Sequence, residues 1–205
     1  MKPNETDTND RERTGGKLLI IGYGNPLRSD DGLGWLIAKD LAKCNHGSAT
    51  VLTVHQLTPE LAQPISDADL VIFIDACYEG APGSWQCESI RAAPAPAQTF
   101  AHYLTPATLL IYTRAVFNVE PLALLVSVAG GSFEFGQNLS PSVAAVMPEI
   151  VCSVYEWWKA NKGKLETATS SGAAFPSSSH SPPKLRRTAR ASGAARHPGL
   201  KPQRR

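Results

Sequence analysis

Short apolar runs that alternate with helical segments limit the folds open to this chain. The runs at 18–21 and 70–74 are apolar at every position, and a strand without a polar face is buried on both sides of a sheet. Five strands are predicted, at 17–22, 50–55, 69–75, 84–90 and 121–129. Helices are predicted at 34–43, from Thr58, at 105–117 and from Ser140 to about Lys159. This order predicts an α/β fold with three layers, αβα, and a mostly parallel five-stranded sheet flanked by helices.

Charge divides the sequence into a body and a tail. Residues 162–205 hold ten Lys or Arg and one acid, a net charge of +9, so residues 1–161 carry −7 within the whole-chain charge of +2. The tail is rich in Ser, Pro, Ala and Arg, and such a segment buries too little apolar surface to offset the entropy of ordering. We therefore predict a disordered lead-in over 1–16, one domain over 17–161 and a disordered basic tail over 162–205.

Several broad classes of protein do not fit the sequence. No apolar run approaches the roughly 18 residues that a membrane span needs, and the polar first sixteen residues lack the apolar stretch of a signal peptide. A cytoplasmic protein without a membrane span is therefore expected. The four cysteines form no CxxC pair, which indicates reduced thiols rather than a disulfide framework or a zinc site. Strings typical of serine hydrolases, thermolysin-like proteases and P-loop proteins are not found.

The loop after the first strand concentrates polar residues. It reads Gly-Tyr-Gly-Asn-Pro-Leu-Arg-Ser-Asp-Asp-Gly-Leu-Gly over residues 22–34. A dinucleotide-binding loop is disfavoured, because Leu27 replaces the third glycine and His55 stands where an acid should end the second strand. Ligands of parallel α/β folds bind beyond the carboxyl ends of the strands. Taken alone, the pair Asp30 and Asp31 is sufficiently explained as a cap and a charge complement to the start of the following helix. We assign the capping role to Asp30.

The same loop resembles the GxGNxLxxD(D/E)GxG signature of the hydrogenase maturation proteases, which remove a C-terminal peptide from the large subunit of nickel–iron hydrogenases. Four further segments resemble the family in the same order: the apolar strand that ends in Asp75-Ala, Ala-Pro-Gly at 81–83, His102 ahead of a helix, and Leu-Ser-Pro-Ser-Val from Leu139. The resemblance covers about residues 17–160 and implies a phosphorylase/hydrolase-like αβα fold. The segment 56–61 resembles the branch that serves bidirectional or NAD-linked hydrogenases.

The resemblance implies a site built from two carboxylates and an imidazole. Asp31, Asp75 and His102 match the metal-contacting positions of the family, and Asp31 and Asp75 are the candidate catalytic residues. Asp31 stands where the family often has the longer Glu. Gly24 and Asn25 match the residues that would position the substrate backbone. Carboxylate and imidazole ligands suit nickel or zinc, and the resemblance implies that nickel is carried by the substrate, with no organic cofactor.

The implied function is that of a cytoplasmic, monomeric endopeptidase which processes a hydrogenase large-subunit precursor after nickel insertion and so activates the hydrogenase. The nickel in the substrate would be the recognition signal, and one carboxylate would activate water. The family is classed with aspartic-type endopeptidases, and metallopeptidase is the rival label.

Two alternatives to this function stay open. Residues 22–26 also resemble the opening of peptidyl-tRNA hydrolase, but its histidine followed by Asn-x-Gly is not found after the first loop. The acidic body also opposes a phosphate backbone, so no nucleic-acid partner is expected. The second alternative is a non-catalytic chaperone for hydrogenase assembly. It is disfavoured because both acids and His102 are present.

Overall fold

The computed structural model describes residues 17–44, 49–93, 104–170 and 185–187, with side chains through 160. Six strands form one sheet: β1 (Leu18–Tyr23), β2 (Ala49–Val54), β3 (Leu70–Cys77), β4 (Trp85–Ile90), β5 (Leu122–Ala129) and β6 (Leu185–Arg187). Their order is β2-β1-β3-β5-β4-β6. The first four strands in that order are parallel, β4 is antiparallel to β5, and β6 is antiparallel to β4. The predicted α/β fold with a mostly parallel sheet is confirmed.

Helices cover both faces of the sheet. They are α1 (Leu33–Cys44), α2 (Ala62–Ser66), α3 (Pro106–Phe117) and α4 (Pro141–Ser170), with 3-10 turns at Ser29–Gly32 and Pro59–Leu61. Leu18 and Ile20 of β1 pack in the core under α1 and α4, whereas Leu19 and Ile21 pack in the core under α2 and α3. Side chains alternate between the faces of a strand. A sheet with a core on each side therefore requires the uninterrupted apolar runs seen in the sequence.

The end of the chain differs from the prediction. The last helix was expected to end near Lys159, but α4 continues to Ser170, and β6 lies within the tail predicted to be disordered. Residues 160–166 contain Ala, Lys, Leu and Glu, which favour helix, and the outer edge of β4 offers unpaired backbone groups to β6. The rest of the tail and the lead-in at 1–16 lie outside the described residues. Although α4 is long, no helix in the described ranges has the length and apolar character to cross a membrane.

Two glycines bring the first loop onto the sheet. A Cβ on Gly22 would overlap the backbone oxygen of Gly34, and a Cβ on Gly34 would meet the backbone of Tyr23 and Ile74. The start of α1 therefore lies directly on the ends of β1 and β3, closer than any residue with a side chain would allow. This contact carries the loop between β1 and α1 to the carboxyl edge of the sheet, the edge at which β1, β2, β3 and β5 end.

Candidate active site

Asp31 is held by its own loop at the carboxyl edge. The Asp31 Oδ2 atom accepts a hydrogen bond from the backbone nitrogen of Asn25, with an N···O distance of 2.9 Å. Gly24 has a φ of +123°, and a Cβ there would overlap the backbone oxygen of Asp31, so only glycine fits. The Oδ1 atom of Asn25 accepts a hydrogen bond from the backbone nitrogen of Leu27 at 3.0 Å. Gly24 and Asn25 thus shape the loop, and their predicted role toward substrate stays a prediction.

Asp75 lies near the end of β3 and is mostly buried. Burial raises the pKa of its carboxyl from 3.8 to about 7; hydrogen bonds from Tyr23 and the Ala76 backbone lower it, and the negative charge of Asp31 raises it further. The phenol of Tyr23 also has a raised pKa, because it is buried and faces the Asp75 carboxylate. Asp75 therefore exchanges a proton near neutral pH, as a general acid or base requires.

Asp31 and Asp75 lie near enough for the negative charge of Asp31 to raise the pKa of Asp75. They come from different parts of the chain and meet because parallel strands end at one edge. His102 lies outside the described residues. The chain resumes at Leu104 and enters α3, whose last residue, Phe117, is close in sequence to the start of β5. The end of α3 therefore lies near the edge at which β5 begins, and its start lies toward the carboxyl edge. The described chain thus resumes at the edge that holds the two carboxylates.

The structure does not test the predicted three-residue ligand set. Within 17–44, 49–93 and 104–160, no three His, Cys, Asp or Glu side chains form a group that could hold a metal ion. The predicted set includes His102, which is outside these ranges. What the described residues offer is a pair of carboxylates, Asp31 and Asp75.

Asp30 does not cap the helix that follows it, and that prediction was wrong. Its side chain is fully buried and accepts hydrogen bonds from the backbone nitrogens of Gly131, Ser132 and Ser140 and from the Ser140 hydroxyl. Burial by itself would raise the pKa of Asp30, but the bonds from Ser140, Gly131 and Ser132 outweigh it and lower the pKa. The carboxylate therefore binds the region ahead of α4 rather than the start of α1.

Comparison with known proteins gives a consistent result. No protein-family model and no curated protein matches the sequence, but solved structures do. The hydrogenase-maturating endopeptidase HybD of Escherichia coli is similar at 22% identity with a TM-score of 0.56, over 71% of this chain and 93% of that one. The NiFe hydrogenase maturation protease HycI of Thermococcus kodakarensis is similar at 20% identity with a TM-score of 0.57, over 70% and 93%. The chain has the fold of the hydrogenase maturation endopeptidases.

Two further polar residues near the carboxyl edge of this fold, His55 and Cys77, make local structural contacts. The ring of His55 is exposed and meets the ring of Trp35 edge-on, with centroids 5.2 Å apart, while the Trp35 indole donates to the backbone oxygen of Val54 at 2.9 Å. The Cys77 thiol donates to the backbone oxygen of Glu79. Burial raises the pKa of Cys77, which keeps it a thiol and makes it a poor nucleophile.

Two residues in and beside this candidate site were not predicted from the sequence. Tyr23, which bonds Asp75, could have been found from strand register: Gly22 pairs with Ile74, so the next residues of β1 and β3 are neighbours. Ser140, which bonds Asp30, carries no comparable signal, because the two residues are 110 positions apart.

Proposed function

We propose that this protein is an endopeptidase that removes the C-terminal peptide from the precursor of a nickel–iron hydrogenase large subunit after nickel insertion. The observation that carries the proposal is the pairing of Asp31 with Asp75 at the carboxyl edge of a maturation endopeptidase fold, where the pKa of Asp75 is about 7. A carboxyl group with that pKa is about half ionised at neutral pH. It can therefore take a proton from water and return one later in the same reaction.

The proposed chemistry assigns separate tasks to the two carboxylates. As a carboxylate, Asp75 accepts a proton from the water that attacks the scissile carbonyl carbon; as an acid, it returns the proton to the departing amine. Asp31 is held by the Asn25 backbone and would help to place the substrate beside Asp75. In this proposal Asp31, Asp75 and His102 contact the nickel carried by the substrate, since carboxylate and imidazole ligands suit that metal. Water activation by a carboxylate corresponds to the aspartic-type label, and activation by nickel to the metallopeptidase label.

The surface near the carboxylates supports a protein substrate. Tyr78, just beyond β3, stacks on Phe133, with ring centroids 4.0 Å apart, and Tyr78 is 74% exposed. Phe135 is 89% exposed and Leu27 is 52% exposed. All four follow strands that end at the carboxyl edge. Exposed apolar side chains grouped near a site are typical of protein-binding surfaces, and a precursor subunit would cover them.

The remaining parts of the proposal concern setting and alternatives. We propose that the enzyme acts in the cytoplasm as a monomer, with the large-subunit precursor as its partner and without an organic cofactor. A peptidyl-tRNA hydrolase is less consistent with the site, because the paired carboxylates would repel the phosphate backbone of RNA. A non-catalytic chaperone would need no residue with a pKa near 7.

The proposal is tested with a purified precursor that carries its C-terminal extension and bound nickel. The wild-type chain is expected to shorten the precursor by the mass of the extension. Asp31→Asn, Asp75→Asn and His102→Ala are each expected to slow cleavage at least about 100-fold. The matched control is Asp67→Asn, which removes an exposed carboxylate from the opposite edge of the sheet and is expected to cleave at the wild-type rate.

Three outcomes would contradict the proposal or a part of it. If Asp31→Asn and Asp75→Asn cleave like Asp67→Asn, the site is misassigned. If a precursor prepared without nickel is cleaved as fast as the loaded one, nickel is not the recognition signal. No mass change with any form of the precursor would refute the endopeptidase function itself.

A further inference from the structure

The carboxylate of Asp30 joins three parts of the chain beside the candidate site. Its Oδ2 atom accepts hydrogen bonds from the nitrogens of Gly131 and Ser132 at 2.7 and 2.9 Å and from the Ser140 hydroxyl at 2.7 Å. Its Oδ1 atom accepts from the Ser140 nitrogen at 2.6 Å. These partners lie in the segment 130–140, here named the β5–α4 loop. Asp30 therefore fastens the loop after β1 to the end of β5 and the start of α4.

Backbone hydrogen bonds extend this attachment on one side of Asp30. The nitrogen of Ser29 donates to the oxygen of Gly136 at 2.8 Å, and the nitrogen of Gly136 donates to the oxygen of Leu27 at 2.9 Å. The nitrogen of Asp30 itself donates to the oxygen of Ser132 at 3.0 Å. The backbone up to Asp30 is thus held along its length by the β5–α4 loop.

Asp31, the next residue, is held by hydrogen bonds within its own loop. Asp31 accepts from the nitrogen of Asn25, and the Asp31 nitrogen donates to the oxygen of Arg28 at 3.1 Å. Neighbouring carboxylates thus have different tasks: Asp30 is buried against the β5–α4 loop, while Asp31 remains partly exposed at the site. We propose that Asp30 is a positioning residue that fixes the carboxylate of Asp31 through the backbone they share. This inference rests on the proposed function only in giving Asp31 a role toward substrate.

The hydrogen-bond pattern explains why a carboxylate is needed at position 30. Four donors converge on its two oxygens, and both oxygens accept. An asparagine has one oxygen and one NH2 group. In either orientation of the amide, the NH2 group would face at least one backbone N–H, leaving a buried donor without an acceptor. Asp30→Asn therefore keeps the shape of the side chain but cannot keep its bonds.

The test uses amide hydrogen exchange in the full chain, followed by NMR. For Asp30→Asn, exchange is expected to accelerate about tenfold or more at the backbone nitrogens that face the NH2 group: Ser140 in one orientation of the amide, Gly131 and Ser132 in the other. The decisive amide is that of Asn25, which bonds Asp31 and does not touch Asp30. It is expected to exchange faster as well, because Asp31 is displaced. In Asp67→Asn, the control, all four amides are expected to keep wild-type rates.

A second, milder variant keeps the inference testable if Asp30→Asn does not fold. Ser140→Ala removes only the hydroxyl donor of the four, so it is expected to fold and to raise the Asn25 exchange rate about twofold. Ser66→Ala is its control, since the Ser66 hydroxyl bonds the backbone of Gln63 far from the site. An Asn25 exchange rate equal to wild type in both Asp30→Asn and Ser140→Ala would overturn the inference.

Cleavage of the precursor separates positioning from simple stabilisation. Displacement of Asp31 is expected to lower kcat about 10- to 100-fold in Asp30→Asn and to leave KM within about twofold. Unchanged kcat in a folded Asp30→Asn variant would contradict positioning for catalysis. If the wild-type chain does not cleave the precursor while Asn25 exchange responds as expected, the proposed function fails and the placement of Asp31 by Asp30 stands.

Discussion

At the scale of single residues, the ionisation that suits Asp75 for catalysis works against stability. The unfolded chain releases the Asp75 proton near pH 4, whereas the folded chain retains it to about pH 7, chiefly because the group is buried. Between these values the folded state binds more protons than the unfolded state, so the free energy of unfolding falls as pH rises. Above about pH 7 the loss is complete. The burial of Asp75 thus gives it a pKa suited to proton transfer but lowers the free energy of unfolding at neutral pH. Such opposition between activity and stability is typical of active sites.

The corresponding prediction compares wild type with Asp75→Asn, which can still accept a hydrogen bond from Tyr23. Urea unfolding at pH 4 is expected to give similar free energies of unfolding. At pH 8 the variant is expected to be more stable, by at most about 4 kcal/mol, the equivalent of a pKa change from 3.8 to about 7. Taking the difference between the two proteins cancels the titration of the groups that do not interact with Asp75. A difference that stays constant from pH 4 to pH 8 would show that the carboxyl is not titrating in this range.

Residue-level prediction from sequence failed where the partner of a side chain is distant along the chain. The sequence places Asp75 at the end of one parallel strand and Asp31 in the loop after another, and the family resemblance singles out both; their roles stay predictions. The partners of Asp30 lie at least 101 positions away, and local capping was the nearest available explanation. His102 remains a prediction, since it is outside the described residues.

At the scale of secondary-structure elements, two identical Thr-Pro starts behave differently. Thr105 is the N-cap of α3: its hydroxyl accepts a hydrogen bond from the Thr108 nitrogen at 3.2 Å, and Pro106 follows in the first turn. Thr58 precedes Pro59 in the same way but makes no capping bond. The Thr58 hydroxyl instead bonds Glu60 and lowers the pKa of that carboxyl. The Thr-Pro pattern predicted where both elements begin, but it did not show which threonine hydroxyl would cap its helix.

This difference can be measured with a matched pair of variants. Thr105→Ala is expected to lower the free energy of unfolding by about 1 kcal/mol, because a helix N–H loses its acceptor. Thr58→Ala removes an exposed contact and is expected to cost less than about 0.5 kcal/mol. Thr105→Ser keeps the hydroxyl and should restore most of the loss. Equal costs for the two alanine variants in urea titrations would contradict the capping assignment.

The order of the strands in the sheet could not be predicted from the sequence either. The alternation of apolar and polar residues at 84–90 predicts an edge strand. The observed order places β4 between β5 and β6. Pairing with β6 depends on a three-residue segment in a region whose composition favours disorder. Composition averages over a segment, and it cannot show that three of its residues match an open strand edge.

At the scale of the whole molecule, the charge is unevenly distributed: residues 1–161 carry −7 and residues 162–205 carry +9. The candidate carboxylates belong to the acidic part. Truncation after Asn161 removes the last turns of α4 and the short strand β6, and it leaves the other helices and strands in place. Among the residues of α4 whose side chains the structure describes, the last one in the core is Trp158, which precedes that point.

Truncation after Asn161 is therefore expected to leave precursor cleavage unchanged within about twofold, because both candidate carboxylates and the described core residues of α4 are retained. The net charge should change sign, from +2 to −7. The full chain should be retained by a cation exchanger at pH 7 and low salt, and the truncated chain by an anion exchanger. Loss of cleavage in a truncated chain that still unfolds cooperatively would give the tail a role in the reaction.

The bonds of Asp30 also bear on the order of folding. Its partners are 101, 102 and 110 positions further along the chain. Contacts that close such long loops form late, since the entropy of loop closure must be met before they stabilise anything. During synthesis the first loop emerges long before Ser140 does. It follows that the Asp31 carboxylate reaches its final position only after most of the chain has been made, so a nascent chain that stops short of α4 would hold the acids of the site but not their arrangement.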